Sequence, residues 1–395
     1  MKTTPDGSSR VSRRRLLAVS ALGTVAALGA SPALRRAVWG ADDRREPFFG
    51  RHQGGIVTRP QQHLLFAAFD FTGFRRDALR RLMKTWTAAA LREMSGGPRL
   101  TSADPFRPPL DTGEAFELGH DNLTLTFGFG PSLFRKVGLT ASRPEALIDL
   151  PLFDGDQLDA NRCHGDLCIQ ACADSQVRAY RALHTLAIKG GEHAELRWVQ
   201  SGFRSDNSRN LLGFQDGTNN LDVRDEGALE RYVWSSPRDS CEWMVHGTYA
   251  VVRRIEIDLE AWDHTYLKEQ ERVIGRRRAD GTLLNDRRAR SDLQDLPMDS
   301  HVRVANPGTD RTRDERLLRR SYNFTDGFDN SLGYLSAGLF FVAFQRDPRQ
   351  QFVPIQRRLA AQDRLREFTL HRGSAIFAVL PGVSIGGYLG ETILS

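Results

Sequence analysis

The order in which apolar patterns succeed one another constrains this chain more than any single motif, because one supersecondary order occurs twice. His63–Phe71 is an apolar, aromatic run that predicts a strand. Residues 75–94 carry Leu79, Leu82, Met83, Trp86 and Ala90 at helical spacing and predict a helix. Leu123–Phe129 and Gly165–Ala173 read as strands, Ser175–Lys189 as a helix and Glu195–Phe203 as a strand. That order, β-α-β-β-α-β, is the ferredoxin-like arrangement. The second half repeats it with Thr248–Ile257 (strand), Asp258–Arg272 (helix), Ser321–Phe324 and Gly338–Phe344 (short strands), Pro348–Arg364 (amphipathic) and Ser374–Leu380 (strand). Residues 275–318 form a long polar, arginine-rich insertion without a period, and insertions of that kind tend to be functional or disordered. The expected fold is therefore α+β, with two tandem ferredoxin-like domains at 55–212 and 213–395.

Charge is distributed unevenly. Seven basic residues against the single Asp6 give residues 1–40 a charge of +6, which equals that of all 395 residues. The remainder balances near zero, which argues against a nucleic-acid partner. Within that basic stretch, Arg13-Arg14-Arg15 precedes an uncharged run from Leu16 to Ala30. The run is 15 residues long, shorter than the roughly 20 needed to span a bilayer, and it is diluted by Ser20, Gly23, Thr24 and Gly29. Residues 1–42 therefore read as an export leader whose twin arginine resembles a Tat signal, with the Tat machinery as partner and no stable membrane span after it. The expected location is extracellular, periplasmic or associated with the cell envelope. Cys163, Cys168, Cys172 and Cys241 do not have the paired spacing of structural zinc sites and read as core residues.

Three segments could carry chemistry. Gly213-Phe214-Gln215-Asp216-Gly217 lies between the two halves. Alone, Asp-Gly marks a turn, but the junction between domains favours ligands, and glycines on either side would let backbone approach a flat ligand while presenting one carboxylate. His301 stands in Ser300-His301-Val302-Arg303-Val304-Ala305-Asn306-Pro307, inside the insertion. A zinc site would need three or four ligands, whereas haem iron needs one protein nitrogen if its other face is to stay open. Arg319-Arg320-Ser321-Tyr322-Asn323-Phe324 follows. An arginine there either faces solvent or holds an anion with its fixed fork of donors.

Taken in order, these segments resemble the dye-decolorizing peroxidase family. Gly165-Asp166-Leu167-Cys168-Ile169-Gln170 and Gly247-Thr248-Tyr249 with Val251-Val252-Arg253-Arg254-Ile255 add to the match, which extends from about Gly54 to the C-terminus. The twin-arginine leader is similar to that of the exported subgroup containing the deferrochelatase/peroxidases.

The resemblance implies one haem b per chain, bound in the C-terminal half near the domain junction. It implies that His301 is the proximal iron ligand and that Asp216 and Arg319 are catalytic. Arg320 lies one position away from the family arginine, while Ser321 and Tyr322 stand where subgroups differ. Gly213, Phe214, Gln215, Gly217 and Arg303 are expected to contact the cofactor. Hydrogen peroxide is then the oxidant, and dyes, phenolics or other bulky compounds are the reductants. Trp198, Trp234, Trp243, Trp262, Tyr322 and Tyr388 are candidate routes for electrons to the surface. The alternative function is haem handling, by iron release or haem delivery, with incidental peroxidase turnover. Homo-oligomerisation stays open, as does the carboxylate behind His301, for which Asp310, Asp314 and Glu315 are near in sequence.

Overall fold

A computed structural model describes residues 45–96, 106, 114, 119–239, 241–285, 293–329 and 333–395. The leader assigned to residues 1–42 lies outside the described residues. The first half contains β1 (His63–Phe71), α1 (Arg76–Met94), β2 (Thr124–Phe129), β3 (Leu167–Ala173), α2 (Gln176–Gly190) and β4 (Ala194–Phe203). Its strands lie in the order β2-β3-β1-β4, all antiparallel. Helix α1 buries the stripe Leu79, Leu82, Met83, Trp86 and Ala90, and Trp86 Nε1 donates to the Leu186 carbonyl of α2 at 2.9 Å.

The second half contains β5 (Thr248–Ile257), α3 (Leu259–Asp263), α4 (Leu267–Ile274), α5 (His301–Ala305), β6 (Leu318–Arg319), β7 (Tyr322–Asp329), β8 (Tyr334–Gln345), α6 (Phe352–Gln362) and β9 (Thr369–Val379). Its strand order β9-β5-β8-β7 is that of the first half, which makes both halves ferredoxin-like. The single helix expected at 258–272 is instead two helices. Thr265 Oγ1 donates to the Ala261 carbonyl and His264 Nδ1 lies 2.8 Å from that of Glu260. The Thr265 hydroxyl takes the carbonyl that its own amide would bond in a continuing helix, that amide turns to the Trp262 carbonyl, and α3 ends there.

The halves join at both edges. β2 pairs with β9 at Gly128↔Val379 and Phe129↔Ala378, and β4 pairs with β7 at Phe203↔Asn323. The strands thus close into a ring, with β6 lying beside β8 in line with β7. Closure removes exposed strand edges. Because side chains alternate along a strand, one face of each fills the ring interior. Phe66, Cys168, Cys172, Trp198, Val252, Tyr322, Phe340 and Phe377 pack there. All four cysteines are free thiols. No helix among the described residues is long and apolar enough to cross a membrane.

Candidate functional site

On the outer face of the second half, between its strands and α5 and α6, is a cavity of about 470 Å3, within the usual range for small-molecule sites. Arg253, Ile255 and Ile257 of β5 and Leu339 and Phe341 of β8 line its strand wall. Ile355, Leu359 and Ala360 of α6 line the helix wall. His301, Asp216 and Arg319, which lie far apart in sequence, all line this one space, together with Phe214, Gln215 and Gly217. Gly213 and Arg303 do not. The Arg303 guanidinium turns back to the Leu296 carbonyl, and the Gly213 carbonyl accepts from Arg209 at 2.7 Å.

The segment bearing Asp216 is a tight hairpin. The amide of Gly213 donates to Asn210, and that of Asp216 to Ser208. Gly213 and Gly217 adopt φ +84° and +77°, a region in which residues with a Cβ are strained. Open space surrounds the Gly217 Cα, so conformation and not close approach demands glycine there. Arg209 bonds the carbonyls of Gly213, Arg278 and Ala279, which clamps this hairpin to a second turn at 276–283. Gly281 closes that contact, because a Cβ on it would stand 2.6 Å from Gln215 Oε1.

His301 opens α5, on the helix side of the cavity. Its Nδ1 lies 2.6 Å from Asp363 Oδ2, and Asp363 is buried. A buried carboxylate accepts, so Nδ1 donates and Nε2 carries the lone pair. Asp363 ends α6, its other oxygen accepts from the Leu365 amide at 2.9 Å, and Arg364 N donates to the Asp299 carbonyl. The carboxylate behind His301 is therefore none of the neighbours expected from sequence. Asp310 pairs with Arg313, Asp314 with Arg231 and Glu315 with Arg358.

Adjacent arginines face opposite ways. Arg319 lines the cavity, whereas Arg320 is 2% exposed and bonds Gln61, Thr58 and Arg59 on the other side. Ser321 lines the cavity, while Tyr322 is buried in the ring with its hydroxyl 3.5 Å from Cys172 Sγ. Of the aromatic residues singled out above, Trp262 packs edge-to-face on the cavity-lining Phe214, with ring centroids 6.2 Å apart.

Sequence reasoning missed three polar residues. Arg276 lines the cavity, and its guanidinium donates to the Gly281 carbonyl at 2.8 Å while its Nε is buried without a partner. Burial and the nearby Arg319 charge push its pKa down. His371 also lines the cavity, and Arg253 Nε donates to its Nδ1 at 3.2 Å. Burial, with a smaller part from Arg253, pushes its pKa down to about 3, so the ring is neutral with its proton on Nε2. Asn220 bonds the backbone of Arg319. Only Asn220 had a sequence signal, its place just after the Asp-Gly turn.

A slot with apolar walls, one imidazole whose Nε2 is free and guanidiniums lacking acidic partners fits a flat, anionic tetrapyrrole that takes one axial nitrogen. Fold and site together define a haem pocket of the peroxidase class. Residues 53–204 match the family model "Dyp-type peroxidase, N-terminal" and residues 207–384 match "Dyp-type peroxidase, C-terminal". A deferrochelatase of Escherichia coli K12 is 34% identical over 98% of both chains. Among solved structures, ferric DtpA from Streptomyces lividans superposes with a TM-score of 0.81 at 37% identity, covering 89% of this chain and 97% of that one. A DyP-type peroxidase from Cellulomonas bogoriensis does so at 0.80 and 36%, covering 89% and 99%. The chain belongs to the Dyp-type peroxidase family, and it is a haem-dependent oxidoreductase acting on peroxide.

Proposed function

We propose that this protein reduces hydrogen peroxide in the 470 Å3 cavity and draws electrons from dyes, phenolics or other bulky reductants. The supporting observation is the meeting of His301, Asp216 and Arg319, from three separate segments, on one slot. Haem, when bound, supplies the redox chemistry of peroxide cleavage. His301 would hold the haem iron through Nε2, its ring kept in orientation by the Nδ1–H bond to Asp363. Asp216 takes the proton from one peroxide oxygen and returns it to the other, a role typically worth about 10²–10⁴-fold. Arg319 presents N–H donors to the oxygen on which negative charge develops. Ser321 adds a hydroxyl to the same wall. The apolar faces of β5, β8 and α6 keep bulk water away, which strengthens these interactions. Trp262, buried against Phe214 of the cavity lining, is an inner step for electrons passing from reductants at the surface to the cavity.

A second reading, removal of iron from haem, rests on the 34% identity with proteins named deferrochelatase. It predicts metal-free porphyrin as a product, and fluorescence separates it from dye oxidation. We further propose that residues 1–42 direct Tat export, placing the protein outside the cytoplasm.

The testing experiment is an absorption spectrum of haem-loaded protein, wild type beside His301→Ala, followed by a peroxide pulse. A Soret band that responds to peroxide in wild type, with haem lost or unligated in the variant, supports the assignment. Identical haem spectra in both would sink His301 as ligand.

A further inference from the structure

The core holds the hairpin of Asp216 only part of the way. Leu212 and Phe214 are buried, and Trp262 Nε1 donates to the Leu212 carbonyl at 3.1 Å. Beyond Phe214 the chain leaves the core: Gln215 and Asp216 are half-buried, and Gly217, Thr218 and Asn219 are exposed. From there on, polar bonds place the acid. The Asp216 amide donates to the Ser208 carbonyl at 2.8 Å, and Gln215 is bridged to Arg209 across the hairpin. Asp216 Oδ1 accepts from the Gly217 amide at 2.8 Å, which leaves Oδ2 for a ligand.

Arg209 stands in the arm that faces the acid. Its carbonyl accepts from Asn323 Nδ2 of β7 and from Ser205 Oγ. Its guanidinium gathers three carbonyls from two turns: Nη1 donates to Gly213 at 2.7 Å and to Arg278, and Nη2 donates to Ala279 at 2.8 Å. None of the three accepts from another donor among the described residues. Carbonyl oxygens brought together repel unless donors stand between them, and the fixed fork of a guanidinium serves several at once.

We propose that Arg209 is a positioning residue of the peroxide site: by tying the Asp216 hairpin to the 276–283 turn, it holds the Asp216 carboxylate where it can move the peroxide proton. This rests on the reading of Asp216 as the group that takes a proton from one peroxide oxygen and returns it to the other. A peracid anion arrives without that proton, and its leaving carboxylate needs none. Displacement of Asp216 should therefore matter to hydrogen peroxide and not to a peracid anion.

The test mixes full-length, haem-loaded wild type, Arg209→Ala and Arg209→Lys in stopped flow with hydrogen peroxide, or with peroxyacetate at a pH where the peracid is ionised. Arg209→Ala should keep its Soret band and react with hydrogen peroxide about 10–100-fold more slowly, the scale on which small misplacements of catalytic groups act. With peroxyacetate it should react at the wild-type rate. Arg209→Lys should recover part of the loss, because it keeps the charge without the fork, and it carries the test if Arg209→Ala does not fold. Amide exchange over residues 208–217 should quicken in Arg209→Ala, since the clamp no longer resists local opening. Equal slowing with both oxidants would make Arg209 a structural residue only and overturn the proposal. Unchanged rates with both oxidants, or unchanged exchange, would overturn it as well. A wild type whose Soret band ignores peroxide would defeat the peroxidase reading itself, whereas a responsive wild type matched by Arg209→Ala defeats only the role of Arg209.

Discussion

The carboxamide of Asn220 occupies both backbone polar groups of Arg319: Nδ2 donates to the Arg319 carbonyl at 2.8 Å and Oδ1 accepts from its amide at 2.9 Å. Arg319 pairs with Ala343 of β8 on one side only, so Asn220 plays the part of a neighbouring strand on the other. Because Asn220 follows Asp216 by four residues, this pair of bonds ties the loop of the acid to the strand of the arginine. The two groups proposed to act on peroxide are held to each other through it.

Asn220→Ala should therefore retain haem and its Soret band but lose about 10–100-fold in kcat/KM for peroxide, the scale on which small misplacements of catalytic groups act. Steady-state assays at limiting peroxide check it. Unchanged turnover would mean that the hairpin clamp through Arg209 suffices alone.

Asp363→Asn replaces the buried carboxylate behind His301 with a neutral amide. Loss of such a partner typically costs about 10–100-fold in metal affinity or activity. The imidazole also becomes a poorer electron donor, so the ferric state is less favoured and the reduction potential should move positive. Spectroelectrochemical titration beside wild type measures this, and an unmoved potential would count against the polarising role of Asp363.

Arg319→Ala and Arg320→Ala should separate cleanly although the residues are adjacent. Removing Arg319 should cost about 10²–10³-fold in turnover, as for a donor at a developing charge, with little change in Tm. Removing Arg320 should lower Tm, because it leaves the Gln61 side chain and the Thr58 and Arg59 carbonyls without their donor, while peroxide turnover persists. The reverse pattern would show that Arg320 faces the cavity in solution.

His371 sets a pH dependence of stability. Its ring is neutral in the fold down to about pH 3, whereas in the unfolded chain it binds a proton near its ordinary pKa of roughly 6.5. The unfolded state thus holds more protons between these values, so stability contributed here is complete above about pH 6.5 and declines as pH falls toward 3. His371→Gln should flatten that part of the Tm–pH curve relative to wild type. Parallel curves would mean that the buried ring takes up its proton at an ordinary pH.

The order of elements was legible in the sequence because strand and helix periods are local properties. The apolar stripe Leu79–Ala90 and the run His63–Phe71 form the expected helix and strand, and the same order in both halves yields two ferredoxin-like sheets. The segments holding Asp216, His301 and Arg319 stood out only through their joint order, which resembles that of the family, because each alone reads as a turn, an ordinary histidine or a solvent-facing charge. The fold brings the three to one cavity. Everything that depends on which face or which distant partner a side chain meets was decided only by tertiary structure. Whether Arg319 or Arg320 enters the cavity follows from the register of β6 on β8, because successive strand residues point opposite ways. Asp363 reaches His301 across 62 residues because α6 ends beside α5. Gly281 and Gln215 meet only where two turns pack together. Periodicity is carried by neighbours along the chain, whereas a binding site is carried by neighbours in space.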